Sequence, residues 1–217
     1  MTIVAPSLLA ANFLKLEDAC KMVNESEAGW LHLDVMDGQF VPNISFGIPV
    51  IEHVRKATSK ICDVHLMIET PENLVPAFKK AGADNIIVHY EVCPNLHRNI
   101  QQIKELGMNA AVAINPHTPV FLLEDIVADL HHVLIMTVNP GFGGQNFIPY
   151  SIEKVKQLRK MIDGKNLNVL IEVDGGVTVE NARALVEAGA DVLVAGNTVF
   201  SSKDPLQTIK QLKEVNR

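Results

Sequence analysis

Short apolar segments rich in β-branched residues alternate with longer amphipathic segments along the whole chain. The apolar segments predict eight strands, near Ile3–Leu8, Trp30–Met36, Ile61–Met67, Asn85–His89, Ala110–Ile114, Val133–Val138, Val169–Val173 and Val192–Ala195. The segments between them predict eight helices, over residues 14–26, 47–57, 72–81, 95–106, 119–129, 151–162, 178–188 and 204–215. Strict alternation of strands and helices is typical of a parallel sheet with helical crossovers.

Glycines stand between four predicted helices and the strands that follow, where a residue with positive φ commonly ends a helix. They are Gly29, Gly82, Gly107 and Gly189, and the gaps of 53, 25 and 82 residues are close to multiples of about 26. We therefore predict one α/β domain over residues 1–217, a (β/α)8 TIM barrel with a parallel eight-stranded core. A doubly wound open sheet would normally carry G-x-G-x-x-G after its first strand, where this chain has Ser7-Leu8-Leu9-Ala10-Ala11.

Polar side chains share one face of three predicted strands, because strand side chains alternate in direction. They are His32 and Asp34 in the second strand, Asp63 and His65 in the third, and Glu172 and Asp174 in the seventh. One such histidine is more often a hydrogen-bonded core residue than a ligand, but His32, Asp34, His65 and Asp174 occur at matching depth. Spacing alone leaves a polar core cluster and a metal site both open, and imidazole with carboxylate would suit Zn²⁺, Fe²⁺ or Mn²⁺.

The remaining histidines give weaker signals. His53 and His97 fall in predicted helices, and His131 and His132 are expected to precede a strand. His89 ends the fourth predicted strand and is a candidate to line the cavity, beside the ligands rather than among them.

Methionine and glycine mark the ends of several strands. Met36, Met67 and Met136 are either core filler or a water-poor wall beside the metal. Glycine-rich segments follow the last three strands, namely Asn139-Pro140-Gly141-Phe142-Gly143-Gly144, Gly175-Gly176 and Gly196-Asn197. Three such loops in succession favour a phosphate-binding cup made of backbone N–H groups over simple turns.

Composition narrows the class of protein. The 217 residues carry a net charge of −6, which argues against a nucleic-acid partner. The three cysteines form no C-x-x-C pair, so we expect a reduced cytoplasmic protein with neither disulfides nor a thiolate zinc site. No apolar run approaches the length of a membrane span, and the N-terminus lacks the basic region of a signal peptide.

The motifs together closely resemble those of the ribulose-phosphate 3-epimerase family of (β/α)8 barrels. The matching segments are Ala5-Pro6-Ser7, His32-Leu33-Asp34-Val35-Met36-Asp37-Gly38, Phe40-Val41-Pro42-Asn43, Asp63-Val64-His65-Leu66-Met67, Asn115-Pro116, Met136-Thr137-Val138-Asn139-Pro140-Gly141-Phe142-Gly143-Gly144-Gln145 and Glu172-Val173-Asp174-Gly175-Gly176. The resemblance covers essentially the whole chain, and the combination is far more specific than any one motif.

The resemblance implies a metal-dependent 3-epimerase that interconverts D-ribulose 5-phosphate and D-xylulose 5-phosphate in the pentose phosphate pathway. One divalent ion (Zn²⁺, Fe²⁺, Mn²⁺ or Co²⁺) would be held by His32, Asp34, His65 and Asp174. Asp34 and Asp174 would also be the acid and base that transfer protons through an enediolate.

The resemblance also implies the substrate contacts, with a small-molecule ketose phosphate as the partner. Residues near the reacting end would be Ser7, His65, Met36, Met67 and Met136, and those around the phosphate Gly141, Phe142, Gly143, Gly144, Gly175, Gly176, Gly196 and Asn197. The family commonly has serine at the position of Asn197. This difference puts the expected contact between the side chain of residue 197 and the phosphate in question. The family tends to form homo-oligomers, so a dimer or hexamer is expected.

Three other functions are alternatives to this epimerase activity. A 3-epimerase of another ketose phosphate, such as allulose 6-phosphate, would share the same catalytic set. A phosphate-binding barrel decarboxylase would carry D-x-K-x-x-D on the third strand, where this chain has Asp63-Val64-His65-Leu66-Met67-Ile68 without the lysine. A catalytically silent metabolite-binding barrel would be expected to have lost Asp34 or Asp174.

Overall fold

Eight parallel strands form the centre of the protein in a computed structural model that describes residues 2–216. The strands are β1 (Ile3–Pro6), β2 (Trp30–Met36), β3 (Ile61–Met67), β4 (Asn85–His89), β5 (Asn109–Ile114), β6 (His132–Met136), β7 (Leu170–Asp174) and β8 (Val192–Ala195). Hydrogen-bonded pairing runs in the order β1-β8-β7-β6-β5-β4-β3-β2. The observed bounds lie within two residues of the predicted ones at every strand.

The first and second strands close the sheet into a barrel. Ser7, directly after β1, forms a parallel bridge with His32 of β2. At the other end of the pair, the Gly29 N–H donates to the Val4 carbonyl over 3.0 Å. These contacts confirm the predicted (β/α)8 barrel and bring Ser7 beside the polar residues of β2.

The α-helices of the described residues cover the outside of this barrel. They are α1 (Leu16–Glu25), α2 (Ile48–Ala57), α3 (Val75–Ala81), α4 (Leu96–Glu105), α5 (Ser151–Gly164), α6 (Val179–Ala188), α7 (Asn197–Phe200) and α8 (Pro205–Lys213). Seven of them match predicted helices, and the one-turn α7 was not predicted.

The helix predicted over residues 119–129 is wrong. The chain there forms two short 3₁₀ segments, Val120–Leu123 and Val127–Asp129. The buried apolar residues Val120, Leu123, Val127 and Leu130 are spaced three and four apart as in an amphipathic α-helix, but the backbone forms 3₁₀ turns there. The strict alternation of strands and α-helices therefore fails between β5 and β6.

Three of the four helix-ending glycines behave as predicted. Gly82, Gly107 and Gly189 follow α3, α4 and α6 with positive φ values of 100°, 71° and 125°. Gly29 is the exception, because α1 ends at Glu25 and Ser26 takes the capping position. The Ser26 hydroxyl donates to the Val23 carbonyl over 2.8 Å there.

The main hydrophobic core lies between the barrel and its helices. Leu31 and Leu33 of β2 pack in it with Ile51 of α2 and Phe78 of α3, all almost fully buried. Since alternate residues of β2 point outward into this layer, His32 and Asp34 point into the barrel. No helix among residues 2–216 is both long and apolar enough to cross a membrane.

Replacement of Phe78 by alanine tests this packing. We expect Phe78→Ala to lower the free energy of unfolding by about 3–5 kcal/mol, because it leaves a cavity in a closely packed layer. Urea unfolding followed by circular dichroism measures the change. The matched control is Phe121→Ala, whose side chain is 66% exposed and should change stability by less than about 1 kcal/mol. Equal losses in the two variants would contradict the position of the core.

Candidate metal centre and adjoining cavity

The register of β2 and β3 brings the predicted polar residues side by side inside the barrel. His32 pairs with Asp63, Asp34 with His65, and Met36 with Met67. On the other side, Asp174 at the end of β7 pairs with Met136 of β6.

The four predicted ligands come together. His32, Asp34, His65 and Asp174 each offer one ligand atom, and these atoms lie within 4.8 Å of one another. Asp34 Oδ1 lies 3.3 Å from His32 Nε2 and 3.2 Å from His65 Nδ1. Asp34 Oδ2 accepts a hydrogen bond from the Ser7 hydroxyl over 2.5 Å.

The hydrogen bonding of His32 indicates that this cluster fits a cation. Its Nδ1 lies 2.7 Å from Asp63 Oδ2, while Asp63 Oδ1 accepts from the Asn85 side chain over 2.9 Å. A histidine that donates through Nδ1 to a carboxylate has a lone pair on Nε2, as in carboxylate–histidine–metal arrangements. The buried Nε2 makes no hydrogen bond with any described residue. It lies 3.3 Å from Asp34 Oδ1. Burial opposes protonation of His32, but the neighbouring carboxylates, Asp34 foremost, raise the pKa of its ring. In the metal-free protein a proton on Nε2 faces the Asp34 oxygen, and a divalent ion between the two atoms would take its place.

A second polar layer lies beneath the predicted ligands, and it joins Asp63 and Glu172, which the sequence placed on the shared polar face, with His132, which it did not. His132, Asp63 and Glu172 are fully buried, and His132 Nε2 lies 3.2 Å from Glu172 Oε2. The expectation that His132 precedes its strand is wrong, since it is the first residue of β6. Alternation along β6 puts His132 on the same face as Met136 and was the signal that could have found it.

The electrostatic environments of the two predicted acid–base residues differ. Burial opposes ionisation of Asp34, but His32 and His65 outweigh it and hold the pKa of Asp34 below its usual range. Burial and the negative charge of Asp34 raise the pKa of Asp174 to about 8. In the metal-free protein near neutral pH, Asp34 is therefore ionised and Asp174 mostly protonated.

His89 and Glu91 extend the cluster beyond the four ligands. His89 is fully buried at the end of β4, with Nε2 2.9 Å from His65 Nε2. Its Nδ1 lies 3.1 Å from Glu91 Oε2. The placement of His89 next to a ligand agrees with the sequence prediction, whereas Glu91 follows the strand and was not singled out.

A cavity of about 360 Å³ opens beside Asp34 and Asp174. Its lining includes the predicted substrate-contact residues Ser7, Met36, Met67, Met136, Gly141, Phe142, Gly143, Gly144, Gly175, Gly176, Gly196 and Asn197. His65 was predicted both as a ligand and as a substrate contact. It is fully buried and is not part of this lining.

Glycine is required where the loop after β7 crosses the cavity. Gly175 has a φ of 119°, and a Cβ there would lie 2.5 Å from a Val138 methyl group. Gly176 has a φ of 64°, and its Cβ would lie 2.6 Å from the Phe147 backbone nitrogen. No lysine or arginine is among the described residues that line the cavity, so an anion bound there would depend on backbone N–H groups.

Comparisons with known proteins agree with the fold and the motifs. Residues 3–200 match the model of the ribulose-phosphate 3 epimerase family. The chain is 51% identical over 211 residues to ribulose-phosphate 3-epimerase of Bacillus subtilis, covering 97% of each protein. It is 50% identical over 217 residues to the chloroplastic ribulose-5-phosphate-3-epimerase of Arabidopsis thaliana, covering 99% of this chain and 77% of that one. A crystal structure of 3-hexulose-6-phosphate synthase is similar in fold, with a TM-score of 0.68, 21% identity and complete coverage of both chains.

Loss of His65 tests the metal centre. We expect His65→Ala to weaken binding of a divalent ion by more than the roughly 10–100-fold that loss of an outer hydrogen-bond partner costs. Metal content after dialysis, read by plasma mass spectrometry, measures this. His53→Ala is the matched control, because His53 lies exposed on α2. Stoichiometric metal in His65→Ala would count against His65 as a ligand.

The raised pKa of Asp174 predicts a stability effect in metal-free protein. Between its ordinary pKa of 3.8 and about 8, the folded state binds the proton more tightly than the unfolded state. The contribution of Asp174 to stability therefore falls as pH rises through this window. We expect chelator-treated Asp174→Asn to exceed wild type in stability at pH 8 by at least about 1 kcal/mol, and by less at pH 5.

Thermal unfolding at the two pH values measures this difference. Asp125→Asn, on an exposed surface position, is the control and should show no pH-dependent gain. A gain from Asp174→Asn that does not grow with pH would show that the Asp174 carboxyl is not held protonated.

Proposed function

The chain belongs to the ribulose-phosphate 3-epimerase family, and we propose that it inverts C3 of D-ribulose 5-phosphate to give D-xylulose 5-phosphate by proton transfer between two carboxyl groups. The observation that carries the proposal is the meeting of Asp34 and Asp174 with two histidines at the edge of a cavity whose other wall is glycine-rich. This is the arrangement that a sugar with a ketone at one end and a phosphate at the other would require.

The proposed reaction begins with removal of the C3 proton, which is acidic because it is α to the C2 carbonyl. One carboxylate accepts that proton, and the electron pair of the C–H bond moves toward the C2 oxygen to give an enediolate. The other carboxyl group then donates a proton to C3 from the opposite face. In the reverse reaction the two groups exchange roles.

Asp34 and Asp174 suit these two roles. Asp34 lies two residues before the end of β2 and Asp174 ends β7, with β1 and β8 between them in the barrel, so they approach the cavity from different directions. In the metal-free protein the pKa of Asp34 is lowered and that of Asp174 is raised, which distinguishes the two carboxyl groups, and a bound cation would lower both pKa values. The Ser7 hydroxyl, bonded to Asp34 Oδ2, would hold that carboxylate in orientation.

His32, His65, Asp34 and Asp174 would hold a divalent cation. When bound, the cation supplies positive charge that stabilises the negative charge developing on the substrate oxygens. Imidazole and carboxylate donors suit Zn²⁺, Fe²⁺, Mn²⁺ and Co²⁺ alike. Met36, Met67 and Met136 would exclude water from this end of the cavity.

The glycine-rich loops would bind the phosphate. Backbone N–H groups of the segments around Gly143, Gly175 and Gly196 can approach an anion closely because no Cβ intervenes. Binding energy from the phosphate would then position C3 between the two carboxyl groups. The homo-oligomer expected from the resemblance, a dimer or hexamer, stays a prediction.

Exchange of the C3 proton in D₂O tests the reaction. We expect metal-loaded protein to incorporate deuterium at C3 of ribulose 5-phosphate and to form xylulose 5-phosphate, with both lost on chelation, as read by proton NMR. Allulose 6-phosphate run in parallel distinguishes the six-carbon alternative. Failure of exchange with both sugars at full metal occupancy would contradict the proposed reaction while leaving the fold and the metal centre in place.

Asp34→Asn tests the role of the base. This change keeps the shape of the side chain, so we expect binding of ribulose 5-phosphate to stay within about tenfold of wild type. We expect C3 exchange to fall by at least roughly 10²-fold, the lower end of what a general base contributes. Metal content is measured in the same samples, so that loss of the ion is distinguished from loss of the base. Exchange at the wild-type rate would contradict the assignment of Asp34.

A further inference from the structure

Three side chains form a hydrogen-bonded chain that leads away from the proposed metal centre. His65 Nε2 lies 2.9 Å from His89 Nε2, and His89 Nδ1 lies 3.1 Å from Glu91 Oε2. The two histidines are fully buried, and the Glu91 side chain is 18% exposed. The chain therefore runs from the barrel interior to the loop after β4.

The chemistry of the three groups determines where each proton lies. Burial opposes ionisation of Glu91, but its hydrogen bonds with His89 and Thr118 lower the pKa of that carboxyl to about 2. An ionised carboxylate only accepts, so His89 donates through Nδ1. The 2.9 Å contact between His89 Nε2 and His65 Nε2 holds a single proton, so one of these two nitrogens donates and the other accepts.

The orientation of His65 follows from that of His89. With the Nδ1–H of His89 directed to Glu91, a lone pair is left on the inner side of His65 when His65 Nε2 donates to an unprotonated His89 Nε2. In this arrangement the lone pair of His65 is on Nδ1, the atom that lies 3.2 Å from Asp34 Oδ1. A metal-binding nitrogen must be unprotonated.

We propose that Glu91 and His89 are positioning residues that hold His65 in the tautomer able to bind the metal. The proposal rests on the metal centre proposed above and assigns roles to two residues outside its ligand set. His65 is thereby oriented in the same way as His32, whose Nδ1 is hydrogen-bonded to Asp63. A carboxylate on the side away from Asp34 orients each ring. Asp63 contacts His32 directly, and Glu91 acts on His65 through His89.

Glu91 is itself held in place by the loop after β5. Its Oε1 accepts hydrogen bonds from the Asn115 backbone N–H over 2.8 Å and from the Thr118 hydroxyl. The buried ammonium of Lys154, on α5, donates to the Asn115 and Pro116 carbonyls over 2.6 Å and 3.0 Å. Glu91 therefore has one oxygen committed to the loop and the other to His89.

Glu91→Gln reverses the proposed tautomers with almost no change in shape. The glutamine oxygen is expected to face the two donors from the loop, which places the side-chain NH₂ toward His89 Nδ1. His89 would then accept at Nδ1 and carry its proton on Nε2. His65 Nε2 would become the acceptor, leaving its proton on Nδ1, where the metal must bind.

The matched control is Thr118→Val, which removes a loop contact of Glu91 but keeps the carboxylate that faces His89. If Glu91 served only to anchor the loop, the two variants would weaken metal binding alike. If Glu91 sets the tautomer, only Glu91→Gln would do so strongly.

The experiment combines an affinity with a direct view of the protons. The dissociation constant for Zn²⁺ is measured by competition with a chromophoric chelator for wild type, Glu91→Gln and Thr118→Val. The protonated nitrogen of each ring is identified by ¹⁵N NMR of zinc-loaded, histidine-labelled protein. We expect zinc affinity to fall roughly 10–100-fold in Glu91→Gln, the usual effect of losing an outer partner of a ligand, and to change less than about threefold in Thr118→Val.

Each outcome decides the proposal. Wild-type protein with the proton on His89 Nδ1 and on His65 Nε2, together with the predicted loss in Glu91→Gln alone, supports it. Equal zinc affinity in Glu91→Gln and wild type, or equal losses in both variants, would overturn the positioning role while leaving the metal centre intact. Wild-type protein that binds no zinc would overturn the metal centre and the positioning role together.

Discussion

A nitrogen of His32 and a nitrogen of His65 meet an oxygen of Asp34 at one buried point. The arrangement of the barrel interior depends on the positive charge that lies at this point. The imidazole nitrogens of His32 and His65 both lie within 3.3 Å of that oxygen. Acceptors this close in a low-dielectric interior repel one another unless a proton or a metal ion lies among them. Hydrogen bonds on the side away from Asp34 also orient the two histidines. Asp63 orients His32, and the proposed pair of His89 and Glu91 orients His65. The side chains of the proposed metal centre are therefore oriented before an ion binds, and such preorganisation would favour a high affinity for a divalent ion.

A buried polar cluster of this kind is compatible with a stable small barrel because the inward and outward faces of each strand have different roles. The outward residues of β2 and β3 are apolar and pack beneath the helices, so stability comes from that layer. The inward residues at the same depth pair polar with polar, as Asp63 does with His32 and Asn85. The parallel register lines up residues of neighbouring strands at one height, so one alternating pattern per strand is enough to build each polar layer.

The same alternation explains which features the sequence predicts well. Strands β2, β3 and β4 are predicted to the residue, since each is a short apolar run with polar residues on one face only. The four ligands follow from this pattern together with the family resemblance. His132 was not predicted to face the barrel interior, because the predicted strand begins at Val133 rather than at His132. The face that His132 shares with Met136 was therefore not recognised. The segment over 119–129 was misassigned because its buried apolar residues are spaced three and four apart, as in an amphipathic α-helix, although the backbone there forms 3₁₀ turns. Glu91 gave no periodic signal, since it lies in a loop and its role depends on contacts with distant residues.

The two ends of the cavity follow different physical rules. At the end with the proposed metal centre, recognition would depend on the placement of side-chain atoms, so a change of one proton or one oxygen atom would alter the affinity for the ion. At the glycine-rich end, recognition would depend on backbone N–H groups, which keep their positions when side chains change. Asn197 illustrates the second case. Its backbone N–H is the same as that of the serine usual in the family, while its amide nitrogen lies 2.6 Å from where a Cβ of Gly144 would be. The larger side chain at 197 is therefore compatible with the loop because position 144 has none, and residues 144 and 197 constrain each other more than either constrains the metal end.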